Sequence, residues 1–177
     1  EREAASLARV AHPRIVRLLA KGTTSLGTLT LVLEQGIGTV AERLESTAAA
    51  VVPSWVQRVS WIDDLSSAVH YLHTKTTPIV HRDIKDANMI VFPDGSARLG
   101  DFALSRAADA AATASSTVVY GSPGFTCPRY LQSRRARPET DIYSFGVVLA
   151  RLLTARPALS PADDVPLAEA VPTTCPL

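Results

Sequence analysis

Four side chains near the middle of the sequence are of types that together suit phosphoryl transfer: Asp83, Lys85, Asn88 and Asp101. Apolar stretches flank residues 93–96, whose sequence Pro-Asp-Gly-Ser predicts a tight turn between two strands. Because hairpin strands run antiparallel, Asn88 and Asp101 are expected to meet at its open end. An amide oxygen beside a carboxylate is a suitable ligand pair for Mg²⁺ that also binds phosphate. Asp83 would then orient or deprotonate a hydroxyl, and Lys85 would neutralise charge on the transferred group.

The pattern is specific although each of its residues alone means little. A single aspartate or lysine is more often an ordinary surface charge. The five specified residues of His-Arg-Asp-x-Lys-x-x-Asn should occur by chance in a chain this size on the order of 10⁻⁴ of the time. Because Asp101 and Phe102 also follow at hairpin distance, chance is a poor explanation of the pattern.

Two long helices are predicted to support this hairpin. From Trp55 onward apolar residues recur every three or four positions, which predicts an amphipathic helix with Trp55 and Trp61 on its packing surface. Residues 142–153 are apolar on nearly every face and predict a helix buried inside the domain. His70 and His73 have i, i+3 spacing, but no carboxylate or thiol of suitable spacing joins them, so no metal site is expected there.

The first third of the chain has a different pattern. Residues 1–11 predict a helix that ends before Pro13, because the residue before a proline avoids helical angles. Residues 15–19 and 28–33 are apolar and β-leaning, and the glycine-containing stretch between them predicts a turn. Strands first and helices later indicate an α+β fold class.

Composition narrows the function classes further. The chain has 177 residues and a formal net charge of +1, so its bulk charge does not point to nucleic acid or to an anionic membrane. The basic run at residues 134–137 is interpreted as a solvated loop. No signal peptide is expected, because the sequence opens on the charged residues Glu1-Arg2-Glu3, and no membrane helix is expected, because no apolar run approaches the roughly 20 residues that one needs. Cys127 and Cys175 are expected to be reduced thiols of a cytoplasmic protein.

The motifs resemble those of the protein kinase family, in particular plant-type receptor-like Ser/Thr kinases. The segments PIVHRDIKDANMIV, RLGDFALSR, GSPGFTCPRY and TDIYSFGVVLARLLTARPAL are similar to the family's catalytic loop, metal-binding segment, substrate-docking segment and central helix. The resemblance implies a protein-kinase-like fold, ATP and Mg²⁺ as cofactors, and a protein as substrate.

The resemblance also implies roles for individual residues. Asp83 is the expected catalytic base, Lys85 the contact of the γ-phosphate, and Asn88 and Asp101 the Mg²⁺ ligands. Arg82 is expected to bind a phosphorylated activation segment, although candidate hydroxyls there equally suit a flexible, solvated loop; they are Ser105, Thr113, Ser115, Ser116 and Thr117. Asp141 is expected to accept hydrogen bonds from the catalytic-loop backbone, and it is also a plausible helix N-cap.

The resemblance extends to the beginning of the chain. Glu3 is similar to the glutamate of the family's regulatory helix, and an unpaired glutamate on an exposed helix is the alternative. Leu33 would guard the adenine pocket, Glu34 to Gly36 would offer backbone hydrogen bonds, and Ile90 would lie against the adenine ring. Residues 1–36 would form a partial small lobe with the hinge, and residues 37–177 a partial large lobe.

Lys85 and Ser122 resemble the residues that Ser/Thr kinases carry at these places. Two departures, Ala103 after Asp101-Phe102 and Arg129 after Pro128, keep a pseudokinase open as an alternative. The family's domain is longer at both ends, so a truncated product is a further alternative, and the 177 residues alone are expected to show little transfer activity. The full protein would act in the cytoplasm, at the inner side of a membrane if it is a receptor.

Overall fold

The computed structural model describes residue 3 and residues 7–48, 52–107 and 119–159 of the chain. The strands within these ranges are β1 (Leu18–Thr23), β2 (Leu29–Leu33), β3 (Ile79–Val80), β4 (Met89–Val91), β5 (Ala97–Leu99) and β6 (Arg106–Ala107). The helices are α1 (Val40–Glu45), α2 (Trp55–His73), α3 (Pro128–Ser133) and α4 (Pro138–Thr154), with a 3₁₀ turn at Asp86–Asn88. This mixture of helices and strands confirms the predicted α+β class.

The described strands pair antiparallel in three two-stranded sheets, β1 with β2, β3 with β6, and β4 with β5. In the first sheet Leu18 lies opposite Leu33, and the pairing slips once before Ala20. The predicted start of β1 at residue 15 is wrong. Ile15 forms a bridge with Leu99 instead, so the segment before β1 binds to the outer edge of β5.

The predicted helix at the N-terminus ends earlier than expected. Glu3 and Leu7 are helical, whereas Val10 donates its backbone N–H to the Leu7 carbonyl at 3.3 Å, three residues back. Such an i→i−3 bond closes a turn rather than continuing an α-helix, so the helix does not reach residue 11. Residues 1, 2 and 4–6 of the prediction lie outside the described residues.

Helix α2 forms the centre of the core. Ser54 caps it by accepting the Gln57 N–H, and the buried face includes Trp61 and Leu65. The prediction for Trp55 is wrong, since this side chain is 59% exposed. At about 100° per residue, Trp55 lies about 120° around the helix from Trp61 and therefore turns away from the core.

Helix α4 packs against α2, but only one side of it is buried. Val148 and Leu152 are fully buried, whereas Ile142 and Leu153 are 53% and 44% exposed, which corrects the prediction of burial on nearly every face. The helix begins at Pro138, a favoured first position because proline lacks an N–H that would otherwise be unpaired there. Among the residues that the structure describes, no helix combines the length and hydropathy needed to cross a membrane.

Candidate active site

The β4–β5 hairpin forms as predicted and fixes the positions of the candidate metal ligands. Met89 pairs with Leu99, and the next residue, Gly100, donates its N–H to the Asn88 carbonyl at 2.8 Å. Asp101 therefore follows directly after the residue that pairs with Asn88. The turn between the strands is closed by Gly95 at a φ of 81°, a conformation that glycine adopts without a steric penalty.

Asp83 lies buried at the centre of a network of hydrogen bonds. Its Oδ2 accepts from Lys85 Nζ at 2.8 Å and from Asn88 Nδ2 at 3.0 Å, and its Oδ1 accepts from Ser122 Oγ at 2.7 Å. Lys85 Nζ also donates to Ser122 Oγ at 2.8 Å. Burial alone would raise the pKa of Asp83, but the hydrogen bonds from these three side chains outweigh it and hold the pKa below its ordinary value. Asp83 is therefore a carboxylate at neutral pH.

Asn88 and Asp101 differ in how they are held. The amide nitrogen of Asn88 donates to the carbonyl and the side chain of Asp83, so its amide oxygen is the atom suited to bind a cation. Asp101 is exposed and adopts a left-handed φ of 56°. The described residues contain no group of three or more His, Cys, Asp or Glu side chains arranged to hold a metal. A pair of oxygen ligands fits a hard cation that completes its coordination with water and phosphate.

The loop that carries Asp83 is fixed from below by Asp141 of α4. Asp141 Oδ2 accepts a hydrogen bond from the His81 backbone N–H at 2.8 Å and lies 2.9 Å from His73 Nε2. Its Oδ1 accepts a hydrogen bond from the Arg82 backbone N–H at 2.9 Å. Arg82 has a φ of 71°, which is unfavourable for a residue with a side chain and persists only where neighbours hold it. The alternative role of Asp141 as an N-cap is wrong, because α4 begins three residues earlier with Arg137 as the cap.

His81 connects this loop to the candidate metal-binding segment, residues 100–102. Burial lowers the pKa of His81 despite the nearby Asp141 carboxylate, so the ring is neutral at pH 7. Its Nε2 lies 3.0 Å from the Gly100 carbonyl, which can only accept, and its Nδ1 accepts the Asp83 N–H at 3.3 Å. The proton therefore resides on Nε2. The ring also meets the buried Phe102 edge-on, with 4.7 Å between ring centroids.

Arg82 contacts residues on both sides of the segment that carries the candidate phosphorylation sites, Leu104 before it and Tyr120 after it. Its Nε donates to the Leu104 carbonyl at 2.5 Å, and its guanidinium lies 5.1 Å from the centroid of the Tyr120 ring. Among the candidate phosphorylation sites, Ser105 is buried and donates to the Phe102 carbonyl at 2.8 Å. Thr113 and the three hydroxyl residues at 115–117 lie outside the described residues. Arg129, which the sequence marked as a departure, is exposed on α3.

Glu3 lies beside the candidate metal-binding segment, near Asp101 and Phe102. Partial burial and the nearby Asp101 carboxylate both raise the pKa of Glu3, while a hydrogen bond from the Phe102 backbone N–H opposes the shift. Glu3 is thus close enough to Asp101 and Phe102 to interact with both, while its role as the ion-pair glutamate of a regulatory helix, like the alternative of an unpaired glutamate, stays a prediction.

The segment from Leu33 to Gly36 ends against Ile90, which Gly36 approaches closely. Leu33 is partly buried against the core. Glu34 uses its side chain as a connector, accepting the Arg17 N–H at 2.8 Å and Arg98 Nη1 at 2.6 Å. A Cβ atom on Gly36 would lie 2.3 Å from Ile90 Cγ2, so the backbone here approaches Ile90 as closely as only glycine permits. The backbone N–H of Glu34 already donates to the Arg17 carbonyl at 3.0 Å.

Three charged residues around the site were not singled out from the sequence. Arg98 connects β5 to Glu34 and lies 3.9 Å above the Phe92 ring. Asp86 and Arg151 form a buried ion pair with 2.6 Å between Oδ2 and Nε. Arg151 carried a signal that could have been read, because it is the one charged residue in the apolar stretch 142–153.

Comparisons with known proteins give consistent results. A family model described as protein kinase domain matches residues 1–171. A serine/threonine-protein kinase-like protein of Arabidopsis thaliana is 34% identical over 158 residues, which cover 86% of this chain and 44% of that protein. The LRR receptor-like serine/threonine-protein kinase ERL2 of Arabidopsis thaliana is 33% identical over 183 residues, 97% of this chain and 19% of that protein.

A third relative, PTI1-like tyrosine-protein kinase 3 of Arabidopsis thaliana, is 37% identical over 142 residues, 79% of this chain and 34% of that protein. The chain thus spans less than half the length of each of these relatives.

Proposed function

Since this chain belongs to the protein kinase domain family, we propose that the protein containing it transfers the γ-phosphoryl group of ATP to a serine or threonine hydroxyl of a protein substrate. ATP and a divalent cation follow from the family, and we propose Mg²⁺ as the cation because both candidate ligands are oxygen atoms. ATP as donor favours a reaction in the cytoplasm, at the inner side of a membrane if the full protein is a receptor.

The observation that carries the proposal is the ionised Asp83 and its three hydrogen-bond partners. Ser122 donates its hydroxyl to Asp83 at 2.7 Å, so an aliphatic hydroxyl can reach this carboxylate. A substrate hydroxyl at the same oxygen would be oriented by Asp83 and would give up its proton to it as the phosphoryl group arrives. Lys85, already 2.8 Å from Asp83, would offset the charge on the transferred group.

The cation would bind at the open end of the β4–β5 hairpin, where Asn88 and Asp101 lie. Bound Mg²⁺ would neutralise charge on the phosphates, and the amide oxygen of Asn88 with the carboxylate of Asp101 would hold it there. Asp141 supports the reaction indirectly, because it fixes the backbone of the loop that carries Asp83. Since little covalent chemistry is asked of the protein, this fixed placement of charges is its main contribution.

A preference for serine and threonine over tyrosine is supported by the surroundings of Asp83. Lys85 and Ser122, the two residues that resemble those of Ser/Thr kinases, contact each other as well as Asp83. The names of the three relatives described above support this unevenly: one is a serine/threonine-protein kinase-like protein, one a receptor-like serine/threonine-protein kinase and one a tyrosine-protein kinase.

The test is a transfer assay on the protein containing these residues, with radiolabelled ATP, Mg²⁺ and a mixture of protein substrates. We expect label on serine and threonine after acid hydrolysis, and a loss of about 10³-fold or more in Asp83→Asn, since the proton acceptor is removed. Asp63→Asn, an exposed aspartate of α2, is the matched control and should retain the parent rate. Equal incorporation by Asp83→Asn and the parent protein would remove Asp83 from its proposed role, and label confined to tyrosine would contradict the proposed preference.

A further inference from the structure

The guanidinium of Arg151 joins three elements around the candidate active site. From α4 its Nε donates to Asp86 Oδ2 at 2.6 Å, and its Nη2 to Glu45 Oε1, at the end of α1, at 3.2 Å. Its Nη1 donates to the Arg156 carbonyl at 3.3 Å. The side chains of Arg151 and Asp86 are 8% and 4% exposed, whereas that of Glu45 is 71% exposed, so the pair of Arg151 with Asp86 is the buried part of the network.

Asp86 is directly connected to the reacting groups. It opens the 3₁₀ turn Asp86–Asn88, and Asn88 is the last residue of that turn. Asn88 in turn donates to the carbonyl and to the carboxylate of Asp83 at 2.8 and 3.0 Å. A displacement of Asp86 would therefore move the amide group that steadies Asp83 and that offers an oxygen to the cation.

We propose that Arg151 is a positioning residue for the phosphoryl transfer inferred above: its ion pair with Asp86 fixes the Asp86–Asn88 turn and thereby the amide oxygen of Asn88. The proposal rests on the proposed function for its catalytic meaning, but not for its structural content. A planar guanidinium reaches three partners at once, which an ammonium group cannot do with the same geometry. Because the pair is buried, loss of Arg151 alone would leave the Asp86 carboxylate without compensation, and the turn would rearrange toward water.

Two variants separate the role of the pair from the cost of a stranded charge. The double variant Asp86→Asn/Arg151→Met removes both charges together, which buried pairs tolerate far better than the loss of one partner. Arg151→Lys keeps the positive charge but loses the planar guanidinium that reaches three partners. It supplies the test if the double variant does not fold. Arg135→Met, at an exposed arginine, is the matched control. Thermal unfolding of each variant establishes that it is folded.

The first readout is amide hydrogen exchange of residues 83–88 relative to the amides of α2. We expect exchange in the loop about tenfold faster in the double variant and less so in Arg151→Lys, as for the loss of a hydrogen bond to a charged group. Parent-like exchange in the loop of the folded variants would overturn the proposal. This readout decides the structural claim whether or not the protein transfers phosphate.

The second readout is the affinity for a fluorescent ATP analogue with Mg²⁺ and with EDTA. We expect the gain in affinity that Mg²⁺ provides to fall about tenfold, while the affinity in EDTA stays at the parent value. Equal losses in both conditions would mean that Arg151 supports the fold without positioning the Asn88 oxygen, which would overturn the proposal. Absence of phosphate transfer by the parent protein would contradict the proposed function alone.

Discussion

Replacing Asp141 by asparagine tests how the loop that carries Asp83 is held. The Asp141 carboxylate is fully buried and accepts two backbone N–H groups, from His81 and Arg82, as well as the contact from His73. Asparagine has the same shape but only one acceptor oxygen, so its NH₂ group must face one of these donors. The smaller loss occurs when the NH₂ group replaces Oδ1, because only the Arg82 N–H then loses its partner.

The expected cost follows from that geometry. A hydrogen bond to a charged group contributes about 1.5–3 kcal/mol, and an unpaired buried N–H costs about 1–3 kcal/mol. Because asparagine retains the Oδ2 contacts in weaker form, we expect the free energy of unfolding to fall by about 2–4 kcal/mol. For a chain of this size each kcal/mol lowers the melting temperature by about 2–4 °C, so a decrease of about 4–16 °C is expected.

The assay is thermal unfolding followed by circular dichroism, combined with hydrogen exchange at the loop. Arg82 is held at a φ of 71°, and without its bond to Asp141 it is expected to relax and expose its N–H to exchange. Asp63→Asn on the exposed face of α2 should change stability by no more than about 0.5 kcal/mol. A melting temperature for Asp141→Asn within about 2 °C of the parent would refute the reasoning, because it would show that the buried carboxylate adds no more than a neutral amide.

Two further predictions concern Gly36 and His81. Gly36→Ala places a Cβ 2.3 Å from Ile90 Cγ2 and 2.5 Å from the Val91 carbonyl oxygen. Thermal unfolding should show a free energy of unfolding lower by about 1–3 kcal/mol, and binding of the ATP analogue should weaken. In the control Gly22→Ala the new Cβ meets nothing within 4 Å, so neither quantity should change. Similar behaviour of the two variants would contradict the close approach of Gly36 to Ile90. His81 has a pKa lowered by burial, so below its ordinary value of 6.5 the unfolded chain binds a proton that the folded chain does not. The free energy of unfolding should therefore fall between about pH 7.5 and about pH 5.5, by at most about 1.4 kcal/mol per pH unit, and His81→Gln should flatten this dependence; an unchanged slope in that variant would assign it to other groups.

The hairpin was predictable from sequence because its signals are local. Turn residues, strand lengths and the spacing of Asn88 and Asp101 all fall within about a dozen positions, where backbone geometry leaves few alternatives. Trp55 was misassigned because periodicity identifies an apolar stripe without fixing how far around the helix the core extends. The start of β1 was misplaced because Ile15 pairs with Leu99, 84 residues along the chain, and local propensity carries no information on such a partner.

Two residues support the site from one helix: Asp141, which the sequence analysis expected in that role, and Arg151, which it did not single out. Asp141 and Arg151 lie on the same helix, ten residues apart, which places them about 15 Å apart along the axis of α4. Asp141 holds the loop before Asp83, through the N–H groups of residues 81 and 82, and Arg151 holds it after Asp83, through Asp86. Because one rigid helix carries both anchors, the separation of the loop's two ends is set by α4 and not by the loop itself. Helix α4 therefore sets the positions of Asp83 and Asn88 without contacting either residue. Its polar residues matter for these positions as much as its apolar residues matter for the core.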